Sequence, residues 1–146
     1  MKILVDADAC PKPIKEILFR AADKRKLECI LVANQTIYCP PSDYIRTIRV
    51  SKGFDVADER IVELTEKGDL VITSDIPLAN DAINKGAVVI TPYGKKYTVA
   101  NIGEALAMRD FFNCMRDIGK IESTTKSFSR KASRSFSALL DQWLCQ

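Results

Sequence analysis

Hydrophobic residues recur along this chain in two alternating rhythms. Short, largely apolar runs stand at 2–5 (KILV), 28–33 (ECILVA), 69–73 (DLVIT) and 87–91 (AVVIT), and a shorter, more polar strand is expected at 46–50 (RTIRV). The four apolar runs have the length and β-branched content of strands buried on both faces. Between them the spacing changes to three and four. Ile14, Ile17, Leu18 and Ala21 predict a helix from about 12 to 25, with Pro11 and Pro13 near its start. Val56, Ile61, Val62 and Leu64 predict a second, from Asp55 to Gly68. Further helices are expected from Pro77 to Gly86, from about 101 to 118, and from about 131 to 144. Strands alternating with helices predict an α/β fold, a parallel sheet covered by helices on both faces. No internal repeat or domain boundary interrupts residues 1–146, so a single domain is expected, with 119–146 a basic, Ser-rich loop and terminal helix. Phe128, Phe136, Leu139, Leu140 and Trp143 supply enough apolar surface for that last helix to dock.

Polar residues cluster where strands give way to helices. The clusters read Val5-Asp6-Ala7-Asp8, Asp55-Val56-Ala57-Asp58-Glu59, Thr73-Ser74-Asp75 and Asn80-Asp81. In an open parallel sheet, ligands bind beyond the carboxyl ends of the strands. Asp6 and Asp8 follow the first strand, Asn34 and Gln35 the second, and Asp75 the fourth. Asp55 and Asp58 open a helix on the same edge, and Asp81 lies within two turns of the helix after strand four. Asp69 precedes its strand and belongs to the opposite edge. Each acid also has a bland reading: Asp55 and Asp75 are good helix N-caps, and Asp58 stands where a capping-box acid would. An Asp-x-Asp directly after a buried strand is harder to explain structurally, because close carboxylates repel unless a cation or proton lies between them.

The chain contains no histidine. Imidazole bases, Ser-His-Asp triads and histidine-ligated zinc are thereby excluded. Carboxylates alone suit Mg²⁺ or Mn²⁺. Five scattered cysteines without a CxxC pair predict reduced thiols and a cytoplasmic protein, with Cys10 a small buried residue and not a nucleophile. No apolar run is long enough for a membrane span, and the opening MKILVDADACP reads as a strand instead of a signal peptide. The net charge of +3 is unevenly spread: between Ser123 and Leu140 there is no acid, but there are Lys126, Arg130, Lys131 and Arg134. With Lys95 and Lys96 in the loop Tyr93-Gly94-Lys95-Lys96-Tyr97, and with Asn34 and Gln35, they form a candidate nucleic-acid surface. Lysines would meet phosphates and tyrosines would stack on bases. Solvated surface is the bland alternative for both basic segments.

The segments VDADACP (5–11), VANQ (32–35), GFDVADERIV (53–62), KGDLVITSDIPLAND (67–81) and RDFFNCMRDIG (109–119) resemble the YaiI/YqxD family of bacterial proteins. That family is functionally uncharacterised and is placed among the PIN-like metal-dependent nucleases. The resemblance implies a three-layer α/β/α PIN-like fold with a five-stranded parallel sheet of order 3-2-1-4-5 and a C-terminal helical tail. It implies Asp6, Asp8, Asp58 and Asp75 as metal ligands and catalytic groups, with Asp55 and Asp81 supporting, around Mg²⁺ or Mn²⁺. It also implies hydrolysis of nucleic acid, RNA being the expected substrate. The tail departs from the family pattern: IESTTKSFSRKASRSFS stands where a Gly-Gly-Pro-like turn and an Asp-Arg pair would be. Two other functions fit the residues. One is a phosphatase of the haloacid dehalogenase type with Asp6 as nucleophile, although Ala33-Asn34-Gln35 lacks the Ser or Thr those enzymes carry after strand two. The other is a non-catalytic nucleic-acid-binding module on the same fold.

Overall fold

The computed structural model describes residues 1–53, 56–107 and 130–145. Asp55, Lys126 and the side chain of Arg130 lie outside the described residues, as does the second half of the helix expected from 101 to 118. The elements follow the alternation of the sequence: β1 (Lys2–Asp6), a 3-10 turn (Ala7–Ala9), α1 (Lys12–Arg25), β2 (Glu28–Ala33), β3 (Ile45–Arg49), α2 (Val56–Leu64), β4 (Leu70–Ile72), α3 (Ile76–Asn84), β5 (Val88–Ile90), β6 (Lys96–Tyr97), α4 (helical over 99–107) and α5 (Arg130–Leu144).

The sheet order is β3-β2-β1-β4-β5-β6. The first five strands stand in the expected order and pair in parallel. Among the described residues, however, the sheet has six strands and not five: β6 pairs antiparallel with β5, Val89 opposite Tyr97 and Ile90 opposite Lys96. A tight turn makes the reversal possible. Gly94 has φ +88, and Thr91 and Lys95 close the loop through Thr91 N–H to Lys95 O at 2.7 Å and Lys95 N–H to Thr91 Oγ1 at 3.0 Å. Two residues are too few to show a strand period, which is why the sequence pattern conceals β6.

Alternate residues of each central strand enter opposite layers, as strand geometry requires. Ile3 and Val5 of β1, Cys29, Leu31 and Ala33 of β2, and Leu70 and Ile72 of β4 pack with Ile14 and Leu18 of α1 and with Phe136, Leu140 and Trp143 of α5. Leu4, Ile30, Val32, Val71 and Val89 pack with Ile61 of α2, Leu78 and Ala82 of α3, and Ile102 of α4. The sheet thus has helices on both faces. α5 crosses it from end to end. Near its start, Ser135 and Phe136 lie against Gly94, beyond the carboxyl end of β5. Near its finish, the Trp143 indole N–H donates to Gly68 O at 3.3 Å, before the start of β4. The terminal helix is therefore a docked part of the fold, as its apolar residues predict. Asp69 is at the amino edge, as expected. It is buried and accepts from Lys2 N at 3.1 Å and Lys2 Nζ at 2.7 Å.

Candidate functional site

The register of β1 places the acids. Val5 lies level with Ile72 of β4, so the next residues, Asp6 and Thr73, come level at the carboxyl edge. The Thr73 hydroxyl donates to Asp6 Oδ2 at 3.2 Å, and Thr73 Oγ1 itself accepts from Asp75 N–H at 3.0 Å. Asp75 is the N-cap of α3, its Oδ1 accepting from Leu78 N–H at 3.0 Å. On the other side Asp6 lies level with Val32 of β2. The 3-10 turn then swings Asp8 to the end of β2, where its Oδ2 accepts from Asn34 N–H at 2.8 Å.

Asp6 is the electrostatic focus. Burial pushes its carboxyl above the ordinary carboxylate range. The Thr73 hydrogen bond works against that, and the charges of Asp75 and Asp8 add to it. The charges of Asp75 and Asp8 thus both reach Asp6. Among the described residues, no group of three or more carboxylates and thiols is arranged to hold an ion in common. The donor chemistry fits a hard cation nonetheless. The hydrogen bonds to Asp8 and Asp75 each occupy one carboxylate oxygen, and the second is suited to Mg²⁺ or Mn²⁺.

The other predicted residues are dispersed. Asp58 is half-buried in the first turn of α2. Asp81 is exposed, six residues beyond Asp75 along α3, about 9 Å of helix rise from the cap. Asn34 meets Asp8 through its backbone, and Gln35 is exposed. Lys95, Lys96, Lys131 and Arg134 are exposed. The packing of Gly94 on Ala132, Ser135 and Phe136 brings the loop lysines beside the basic start of α5.

One expectation for that loop is overturned. Tyr97 is 8% exposed and belongs to the core on the α2–α3 face, so its ring cannot stack on a base. Its position on β6 turns it inward, and Lys95 Nζ lies 5.3 Å from the ring centroid. Cys10 is buried, as predicted, and burial pushes its thiol up to about 12. The residue of this edge that sequence reasoning did not single out is Thr73, which joins Asp6 to Asp75. The signal was available: a hydroxyl residue at a strand end, two positions before a capping acid.

These features define the class: an α/β protein with an open, mostly parallel sheet and interacting carboxylates at the carboxyl edge of its two central strands. The chain belongs to the YaiI/YqxD family. The profile described as "Uncharacterized BCR, YaiI/YqxD family" matches residues 4–146. Among relatives, the UPF0178 protein YaiI of Escherichia coli O17:K52:H18 is 53% identical over 143 residues, covering 98% of this chain and 94% of its own. UPF0178 proteins of Pectobacterium carotovorum and Pectobacterium atrosepticum are 53% and 51% identical over 146 residues, each covering 100% of this chain and 97% of its own. No solved structure matches the chain. No helix among the described residues is long and apolar enough to cross a membrane.

Proposed function

We propose that this chain is a Mg²⁺- or Mn²⁺-dependent phosphodiesterase of the PIN-like nuclease class, acting on nucleic acid and first of all on RNA. The observation that carries the reading is the convergence of three acids on one sheet edge, Asp6 and Asp75 joined through the Thr73 hydroxyl and Asp8 held at the neighbouring strand end by Asn34 N–H. Like charges held together at a strand edge destabilise the chain on their own. Their arrangement becomes favourable when a divalent cation or a shared proton offsets the repulsion.

A bound cation would supply water activation and neutralisation of phosphate charge. The chain's own groups do the rest. Thr73 orients Asp6 by donating to Oδ2. Capping holds Asp75, and the Asn34 backbone holds Asp8. Positioning of this kind by hydrogen-bonded neighbours governs how well carboxylates bind metal. The lysines of the β5–β6 loop and the basic start of α5 offer phosphate contacts near the same edge.

The test is cleavage of RNA and DNA oligonucleotides with Mn²⁺, with Mg²⁺, and with excess chelator. Metal-dependent cleavage that Asp6→Asn and Asp8→Asn abolish supports the reading. Cleavage that persists in chelator overturns it. Hydrolysis of a small phosphomonoester without oligonucleotide cleavage would point to the dehalogenase-type phosphatase. Oligonucleotide binding without turnover would point to the non-catalytic module.

A further inference from the structure

An open cleft of about 420 Å³ lies between one face of α1 and the loop that follows β2. Its α1 side is built from Lys12, Lys15 and Phe19, which share a helix face by their spacing of three and seven. Its loop side is built from Ile37, Tyr38 and Pro40. Phe19 and Ile37 pack on the core, so the floor is fixed. Tyr38 stands above it, 82% exposed. An aromatic ring this accessible beside an apolar floor is a stacking platform in search of a flat partner. Neither lysine is held in an ion pair among the described residues. Glu16 at the rim offsets one of the two charges and leaves the cleft net positive.

The cleft's two walls are close in sequence to the carboxylate site. Lys12 follows Asp8 by four residues. Tyr38 follows Asn34 by four residues, and the Asn34 N–H donates to Asp8. Both walls are thus the chain segments that leave the carboxylate edge. A ligand filling the cleft would be planar and apolar, would carry negative charge, and would reach toward Asp8. A nucleobase attached to its phosphate has that chemistry. A wholly apolar peptide side chain would leave the lysines unmatched.

We propose that this cleft receives an unstacked base of a single-stranded nucleic acid, stacked on Tyr38, with Lys12 and Lys15 against the adjoining phosphates. The proposal deepens the phosphodiesterase reading by giving the strand a binding register beside the carboxylates. Its test is run in chelator, so absence of cleavage does not bear on it.

The experiment measures binding of a fluorescent single-stranded RNA and of its abasic counterpart. Stacking of one base on an aromatic side chain contributes about 1–3 kcal/mol. Tyr38→Ala should therefore weaken binding of the base-containing strand roughly 5-fold to 150-fold, and leave the abasic strand unaffected. Tyr38→Phe keeps the ring and should bind as wild type does. The exposure of Tyr38 makes both variants compatible with the fold, which thermal melts would verify. Lys12→Ser with Lys15→Ser should flatten the slope of log affinity against log salt by up to about 1.4, since each single-strand phosphate contact accounts for about 0.7. Unchanged affinity in Tyr38→Ala, or equal loss for both strands, overturns the proposal. A titration with adenosine and uridine monophosphates separates the two sources of a base. Tyr38-dependent binding of a mononucleotide without any of the strand would make the cleft a free-nucleotide site, and would likewise overturn it.

Discussion

Asp75 is both the cap of α3 and a charge acting on Asp6, and Asp75→Asn separates the two roles. Asparagine caps a helix about as well as aspartate does, so the bond to Leu78 N–H at 3.0 Å survives. What is lost is the charge. Its interaction with the N-terminal end of the helix dipole stabilises by about 0.3–1 kcal/mol. Relief of the repulsion on Asp6 acts in the opposite direction. In chelator the variant should therefore lie within about 1 kcal/mol of wild type. With Mn²⁺ the two should diverge. A ligand at a hundred times its Kd stabilises the native chain by about 2.7 kcal/mol. For a chain of 146 residues, that raises Tm by roughly 10 °C at about 4 °C per kcal/mol. If loss of the charge weakens Mn²⁺ a hundredfold, the stabilisation falls to RT ln 2, about 0.4 kcal/mol, and the rise to about 2 °C. Asp8→Asn should behave alike. Asp75→Ala serves as the control, losing the cap, about 1 kcal/mol, with and without metal. Scanning calorimetry with Mn²⁺ and with chelator reads all four chains. An equal Mn²⁺ shift in wild type, Asp8→Asn and Asp75→Asn, or no shift in wild type, would refute the carboxylate site.

Four further outcomes are expected. The folded-state pKa of Asp6 lies above its ordinary 3.8, so the native chain holds this proton more tightly than the unfolded chain does. Native stability is then lost as pH rises from 3.8 through the raised value. Asp6→Asn should be the more stable chain at pH 7 in chelator, with the difference closing as pH falls to 3.8; denaturant melts across that range give the sign directly. Thr73→Val removes the hydroxyl that orients Asp6 and should lower Mn²⁺ affinity by about 10–100-fold, measured by calorimetric titration, where wild-type affinity would deny Thr73 a positioning role. Gly94→Ala places a Cβ on the Ser135 side chain and within 3.0 Å of Phe136 N, at a φ of +88; urea melts should show a loss of about 2–4 kcal/mol, and a loss below about 0.5 kcal/mol would mean the loop and α5 are not tightly apposed. Cys10 and Cys29, whose thiols burial raises to about 12, should resist iodoacetamide at pH 8 while exposed Cys145 is labelled; peptide mapping that finds all three modified at one rate would contradict their burial.

The strands were legible because the central ones are buried on both faces, which makes each an unbroken apolar run. β2 appears at the expected residues for that reason, and α1 does because its buried Ile14, Leu18 and Ala22 recur at helical spacing. Edge structure was not legible. β6 has two residues, and its existence depends on the Thr91–Lys95 closure and on Gly94, not on a period. Tyr97 therefore looked like part of a solvated loop until its strand turned it inward. The cleft beside α1 was concealed in the same way, since its walls are separate in sequence and meet only when β2 pairs with β1.

The acids show where local reasoning stops. Asp75 satisfies the rule for a helix cap, and it is a cap; nothing within its own segment distinguishes it from a structural residue. The distinction comes from across the sheet. Pairing of Val5 with Ile72 makes Asp6 and Thr73 neighbours, and pairing of Asp6 with Val32 lets the following turn carry Asp8 to Asn34. Had β4 been one residue out of register, Thr73 would no longer come level with Asp6, and the side chains of β4 would exchange faces. The two hydrophobic layers forbid that slip, because Leu70 and Ile72 belong to one and Val71 to the other. The apolar core thus determines which acids meet. The identity of the candidate site follows from the burial of residues that never touch it.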